Sequence, residues 1–310
     1  MPRLVMLCCV VAMALAACGV ITVTLPGSGD PRGTKALPKG YERLSSPAPH
    51  AFRASLPGEP VRRGARSERY ELRDGDCGGK DCASTWYRSE IREDPKAVQA
   101  RIGDDIWYGW SFYNANIGSV SRDTSLGAVF GQWRVGGDRP PVFRITQTAA
   151  DSGNWAACDA AVCNRAGDPL QDVVVELNDM AAASGWGRAQ NDGAVCRLFS
   201  MAQNQGRWVD IVVNTNFSAD TNGYLRIWVN GEMACNYYGR LVADPAARKG
   251  DPGPSHRRGI FASYTERWTR TQGTAPKPTM IVHYDEFRAG PTRADVDPRD
   301  RETAGLPPVD

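Results

Sequence analysis

The chain has 310 residues, 42% of them hydrophobic, and its 37 basic and 35 acidic side chains leave a formal net charge of +2. That length supports one large core or two small ones, and the dispersed, nearly balanced charge excludes the basic stripe that marks a nucleic-acid binder. Of the 37 basic residues only six are Lys, so the positive charge is almost all guanidinium, the group that grips carboxylates with paired hydrogen bonds.

The N-terminus carries the first signal. Arg3 precedes an uncharged apolar run from Leu4 that ends in Leu15-Ala16-Ala17-Cys18. Residues 1–18 therefore read as an export signal with a lipobox, and Cys18 would bear the lipid that ties the mature chain to a membrane. The uncharged stretch runs on through Leu25, so ordinary cleavage and a retained anchor are the competing readings; all three place the rest outside the cytoplasm, membrane-anchored or secreted. Residues 19–49, rich in Gly, Pro and Ser, read as a flexible linker. Six cysteines follow the signal, and two close pairs, CGGKDC and CDAAVC, suit small closed loops. The expected disulfides are Cys77–Cys82, Cys158–Cys163 and Cys196–Cys235, which need an oxidising compartment. Neither close pair has zinc spacing, so no metal site is assigned. The Asp and Gly cluster in RDGDCGGKDC lacks the EF-hand pattern and suits a disulfide-closed loop as well as a calcium loop; no cofactor is required, and calcium is the one ion the sequence admits.

From His50 to residue 292 the texture changes to short segments of aromatic and β-branched residues between Gly, Asp, Asn and Pro turns. RYELRDGD, IWYGWSFYN, AVFGQWRV, VFRITQT, VVVELND, RWVDIVVNTNF, GYLRIWVNGEMAC and MIVHYDEFRAG follow in order. Asn222-Gly223 and Asn230-Gly231 are hairpin signals. Asp94 to Ile102 is the one stretch that suits a short helix. The expected fold is all-β, a jelly-roll sandwich of two antiparallel sheets, with residues 293–310 as a loose polar tail.

One stretch breaks the ordinary strand pattern. In WYRSEIR, alternation puts Arg88, Glu90 and Arg92 on one face and Tyr87, Ser89 and Ile91 on the other. In AVFGQWR, the same rule puts Phe130, Gln132 and Arg134 on one face. Two such strands in one concave sheet would present guanidinium, carboxylate and amide groups together, a groove for an acidic, hydrogen-bonding chain.

The order RSEIR, WYGWSFY, GQWR, GRWVDIVV, YLRIWVNGE, RRGIF, VHYDEFRAG resembles the heparin lyase I family of polysaccharide lyases, with a more distant likeness to alginate and glucuronan lyases. The resemblance implies a concave sheet that binds an acidic polysaccharide, and β-elimination at a uronic acid. It implies that Gln132 binds the carboxylate, that Arg88 and Glu90 bind and orient the chain, and that Arg257 supports the site. The pattern departs at the proton-transfer positions: Arg134 stands where such families have His, and Phe261 where the heparin lyase branch has Tyr. Neither can exchange a proton at ordinary pH. Tyr264, next to cations such as Arg134 and Arg257 that favour a phenolate, and His256 are the candidate replacements, and Tyr113 is a third.

The remaining singled-out residues follow from alternation. In IWYGWSFYN, Tyr108, Trp110 and Phe112 read as core, whereas Trp107 and Tyr113 are the candidates to stack on sugar rings, with Arg92 a further binding residue. His283 and Asp285 share a face of the last strand and read as structural; His50 has no partner within sequence reach. The expected activity is that of an exported lyase acting on a uronate-containing polysaccharide, monomeric. The alternative is a non-catalytic glycan-binding surface lipoprotein on the same fold. A glycoside hydrolase ranks last for want of an E-x-D-x-x-E arrangement.

Overall fold

A computed structural model describes residues 37–121, 123–136, 138–149, 171–187 and 193–310. The lipobox cysteine, the expected signal and the Cys158–Cys163 pair lie outside the described residues.

Alternating apolar residues along the strands bury one face of each sheet, and two such faces close on each other. The strands are β1 (Tyr41–Arg43), β2 (Phe52–Ala54), β3 (Glu68–Leu72), β4 (Tyr87–Glu93), β5 (Ile106–Asn114), β6 (Ala128–Arg134) and β7 (Phe143–Gln147). They continue as β8 (Val173–Glu176), β9 (Ala194–Phe199), β10 (Trp208–Thr215), β11 (Tyr224–Val229), β12 (Glu232–Tyr238), β13 (Ser255–Ala262) and β14 (Met280–Gly290). The first sheet has the order β1-β4-β13-β6-β7-β8-β9 and the second β12-β11-β10-β5-β14-β3-β2, and every strand pairing in them is antiparallel. The all-β sandwich expected from the sequence is the fold observed. Cys196 on β9 and Cys235 on β12 are bonded, so a disulfide joins the outermost strands of the two sheets at one edge; Cys77 and Cys82 close a second bridge.

Between the sheets, Trp133 stacks on Phe143 at 4.3 Å, Phe112 meets Phe130 at 5.4 Å and Tyr70 meets Tyr284 at 5.3 Å. A charged pair crosses this core. Arg258 of β13, 1% exposed, donates from Nε and Nη2 to the Glu68 carboxylate of β3 at 2.7 Å each. Its guanidinium is flanked by the rings of Phe287 at 4.1 Å and Tyr41 at 4.4 Å. The Tyr70 hydroxyl completes the group by donating to Glu68 Oε2 at 2.9 Å.

Four expectations are corrected. The folded unit begins before His50, inside the expected linker: β1 pairs with β4, and Leu44 N donates to Glu90 O at 2.9 Å. A three-residue edge strand carries too few positions to show alternation. Asp94 to Ile102 forms no helix, because the Asp94 side chain accepts from Lys96 N and its carbonyl from Ala97 N, a local turn that competes with helical bonding. Phe130 does not share the face of Gln132 and Arg134: the register of β6 shifts between Val129 and Gly131, and the extra residue turns Phe130 into the core. The tail is not loose. It forms α-helices over Arg293–Val296 and Pro298–Thr303, Val296 is fully buried, and Val309 N donates to Glu286 Oε1 at 2.8 Å. Val296 is buried even though the composition around it is polar, while Leu306 stays exposed.

Removing one member of the inter-sheet pair leaves the other charge uncompensated in the interior. Glu68→Gln is therefore expected to lower the unfolding free energy by about 3–5 kcal/mol; urea denaturation of the two proteins at one pH measures it.

Candidate functional site

The outward side of the first sheet assembles the polar residues singled out in the sequence. Cross-strand register places Arg92 of β4 beside Arg257 of β13, Arg257 beside Gln132 of β6, Gln132 beside Arg144 of β7, and Arg144 beside Glu176 of β8. This is one row across five strands, on neighbours about 5 Å apart. Arg88 and Glu90 lie next along β4, and Arg134 next along β6.

Glu90, 1% exposed, is the hub. It accepts from Gln132 Nε2 at 2.6 Å and from Arg88 Nη1 at 3.1 Å. Glu90 and Gln132 belong to strands separated by β13, and they meet because the residue of β13 opposite Glu90 is Gly259, which puts no side chain between them. Its φ of +129° is a glycine conformation, and a Cβ there would stand 2.2 Å from Ser89 O. Arg88 is further held by Asp81 of the Cys77–Cys82 loop at 2.8 Å, and its guanidinium lies 4.5 Å from the Phe261 ring, which Trp86 meets edge-on at 6.1 Å. Arg92 is paired with Glu42, and Arg144 with Glu176 at 2.7 Å.

Cations outnumber carboxylates here. Burial lowers the affinity of Arg257 for its proton to about 10; Glu90 opposes this, and the nearby Arg134, Arg88 and Arg92 add to it. Arg134 is lowered by burial too. Arg257 Nε and Gln132 Oε1 are both buried without a hydrogen-bond partner among the described residues. The second amide hydrogen of Gln132 is not needed by Glu90. The arrangement can accept a carboxylate at the guanidinium groups and a hydroxyl at the amide oxygen.

Tyr264 is brought to this face. It precedes the α-helix Thr265–Gln272, is 43% exposed, and its backbone N–H donates to Leu126 O at 3.1 Å. Its ring lies against Gly127, where a Cβ would be 2.2 Å from Cδ2, and Arg267 sits 4.9 Å from the ring centroid. Its phenol is near enough to Arg144 to act on that guanidinium: burial lowers the Arg144 pKa, but Glu176 and the nearby phenol outweigh it and raise it. Arg144, Glu176 and Asp81 are site residues that sequence reasoning missed. The signal for Arg144 was present, since FRITQ places Arg144 and Thr146 on one side of its strand.

Three candidates are placed elsewhere. His256 is 1% exposed and points into the core, stacked on Phe287 at 4.6 Å and 4.9 Å from Trp133; it neighbours Arg257 in sequence and so faces the opposite way. Trp107 and Tyr113 project from β5, a central strand of the other sheet, on its outward side, so they cannot touch a ligand held by Arg257. His283 and Asp285 are fixed structurally, as expected: His283 Nδ1 is bonded to Ser67 Oγ at 3.0 Å, and Asp285 Oδ2 accepts from Arg62 N at 2.7 Å. His50 finds Asp76 at 2.8 Å. Asp76 and Asp81, the inner acids of the supposed calcium loop, thus bind His50 and Arg88, and among the described residues no three His, Cys, Asp or Glu side chains converge as a metal site.

Comparison with known proteins adds the following. A family model described as polysaccharide lyase matches residues 41–288. An endo-beta-1,4-glucuronan lyase from the fungus Trichoderma reesei is similar in structure with a TM-score of 0.49 and 18% identity, over 80% of this chain and 90% of that one. A marine alginate lyase from Zobellia galactanivorans gives a TM-score of 0.42 and 11% identity over 76% of this chain and 85% of that one. No curated protein sequence matches.

Burial and Arg258 hold His256 neutral well below its ordinary range. Its folded pKa is depressed, so its contribution to stability is complete above the unfolded value of about 6.5 and is lost as pH falls below it, by up to about 1.4 kcal/mol per pH unit. His283, lowered to about 4 by burial, acts in the same direction, whereas Asp285, raised to about 6 by burial, acts in the opposite one. Between pH 7.5 and 5 the wild type should therefore lose more stability than His256→Phe, which keeps both other groups; urea midpoints of the two proteins at each pH give the difference.

Proposed function

We propose, from the premise that the chain belongs to the polysaccharide lyase family, that it cleaves an acidic, uronate-containing polysaccharide by β-elimination on the outward face of the first sheet. The carrying observation is the cationic surplus around Arg257 and Gln132, with unpartnered polar atoms on both, on the same face as an exposed tyrosine. In that reaction the proton at C5 leaves, its bonding electrons form the C4–C5 double bond, the C4–O glycosidic bond breaks, and the departing oxygen takes a proton. The C5 proton is acidic only when the neighbouring carboxylate is neutralised. Arg257, Arg134 and the free amide hydrogen of Gln132 are suited to that task, while Arg88, Glu90 and Arg92 hold the chain. Tyr264 takes the C5 proton and delivers a proton to the leaving oxygen. Its phenol lies near Arg144, the cross-strand neighbour of Gln132.

The finer parts of this reading rest on the sequence. The seven motifs support a place near the heparin lyase I branch, and the glucuronan and alginate lyases similar in structure make those two glycans the first to try. Export, lipid on Cys18 and a monomeric state belong to the same proposal. A second reading has its own observation: Arg134 and Phe261 occupy positions at which relatives exchange protons, and Phe261 is engaged under Arg88, which suits a surface lectin.

Incubation with heparin, alginate and glucuronan, followed by the absorbance of the unsaturated uronate, separates the two. Wild type should release product from at least one, Gln132→Ala should slow it by about 10²–10³, and Tyr264→Phe should abolish it with binding intact. Binding without product on all three would leave the lectin.

A further inference from the structure

The residues expected to stack on sugars, once found on the wrong sheet, lead to a second site. Trp107 belongs to a connected cluster at one end of the outward face of the second sheet. Its ring stacks on Trp228 at 5.4 Å and 22°, and Arg293 covers Trp228 at 5.0 Å. Asp105, exposed, accepts from Trp107 Nε1 at 2.9 Å, from Asn214 Nδ2 at 2.7 Å and from the Tyr224 hydroxyl. Arg226 lies 4.5 Å from the Tyr224 ring and 5.4 Å from the Tyr238 ring, and donates to the Tyr238 hydroxyl at 3.0 Å. Register puts Trp107, Asn214, Arg226 and Asn236 side by side on β5, β10, β11 and β12. That row spans about 14 Å at ordinary strand spacing, long enough for a short oligosaccharide.

Three features select the ligand. Of the four aromatic side chains, Trp107, Tyr224 and Trp228 are partly exposed and Tyr238 is 60% exposed. Hydrogen-bonding groups are set among the rings, Asp105 beside Trp107 and Tyr224 and Arg226 beside Tyr224 and Tyr238, so a ligand that covers the rings must also be polar at its edges. The hydrogen bonds of Asp105 and Arg226 fix the rings before anything binds, which reduces the ordering cost of association. Pyranose rings match this pattern: their C–H faces pack on aromatic rings while their hydroxyls reach side-chain carboxylate, amide and guanidinium groups at the ring edge.

We infer that Trp107, Tyr224, Arg226 and Tyr238, organised by Asp105, form a second glycan-binding surface on the face opposite the cationic row, one that holds a polysaccharide strand without cleaving it. This inference does not depend on β-elimination.

The test uses a background carrying Gln132→Ala and Arg257→Gln, in which the first face is disabled, so binding to the second is read whether or not the protein is a lyase. Affinity gel electrophoresis against immobilised glucuronan, alginate and neutral β-glucan is expected to show retained binding to at least one. Adding Tyr238→Ala, a change at an exposed position, should weaken that binding about tenfold with the thermal melt unchanged. Trp107→Ala, accepted only with an unchanged thermal melt, should do the same. Loss of all glycan binding in the background, with its melt unchanged, or binding unaffected by both platform substitutions, would overturn the inference; a Tyr238→Ala effect confined to self-association would assign the surface to a second copy and overturn it as well.

Discussion

The architecture depends on β13 keeping one register. Arg257 and Arg258 are adjacent and chemically identical, yet one lies on the outward face and the other is enclosed between the sheets. A slip of one residue would exchange them. The bidentate contact of Arg258 with Glu68 on the opposite sheet opposes that slip, because a shifted register would turn Arg258 to the outward face and break both of its hydrogen bonds to Glu68. The contact contributes specificity more than net stability: the desolvation of both ions offsets much of their attraction. What it secures is the side of the sheet on which a guanidinium stands beside Gln132.

Gly259 carries that register into the site. With no side chain it lets Glu90 and Gln132 touch across an intervening strand. Tyr284 reaches through the core to the same irregularity, its hydroxyl donating to Phe130 O and, at 3.1 Å, to Gly259 O. Backbone carbonyls displaced by the bulge are thereby satisfied from the other sheet. Interior and surface are thus coupled through backbone irregularities.

Strand positions and the outward grouping of Arg88, Glu90, Arg92, Gln132 and Arg134 were legible because alternation is a local rule. The disulfide between Cys196 and Cys235 was legible from cysteine arithmetic. Sheet membership was not: nothing in IWYGWSFYN states that β5 lies in the second sheet, so Trp107 and Tyr113 were set on the wrong side of the molecule. Phe130 failed for a related reason, since a bulge changes the parity of a strand without a distinctive residue. His256 failed because one position decides between groove and core, and the sequence alone does not say which neighbour of Arg257 turns inward. The C-terminal helices were hidden by a mostly polar composition in which Val296 and Pro298 are among the few residues they bury.

Charge on the outward face constrains any chemistry done there. Phe261 and Arg134 exchange no proton, and His256 is enclosed by aromatic rings on the far side of the strand. Glu90 and Glu176 are each held by a guanidinium group, so using either as a base would break an ion pair and add to the cationic surplus. Among the described residues of the polar row and its rim, that leaves the Tyr264 hydroxyl as the solvent-reached group able to give and take a proton. In the proposed reaction a uronate bound at Arg257 would lie on the side of the sheet where Arg144 and the Tyr264 phenol neighbour each other. In the proposed reaction the guanidinium groups that would hold the acidic chain stand beside the group that would move the proton, and separating the two roles requires a ligand that binds Arg257 but carries no abstractable proton.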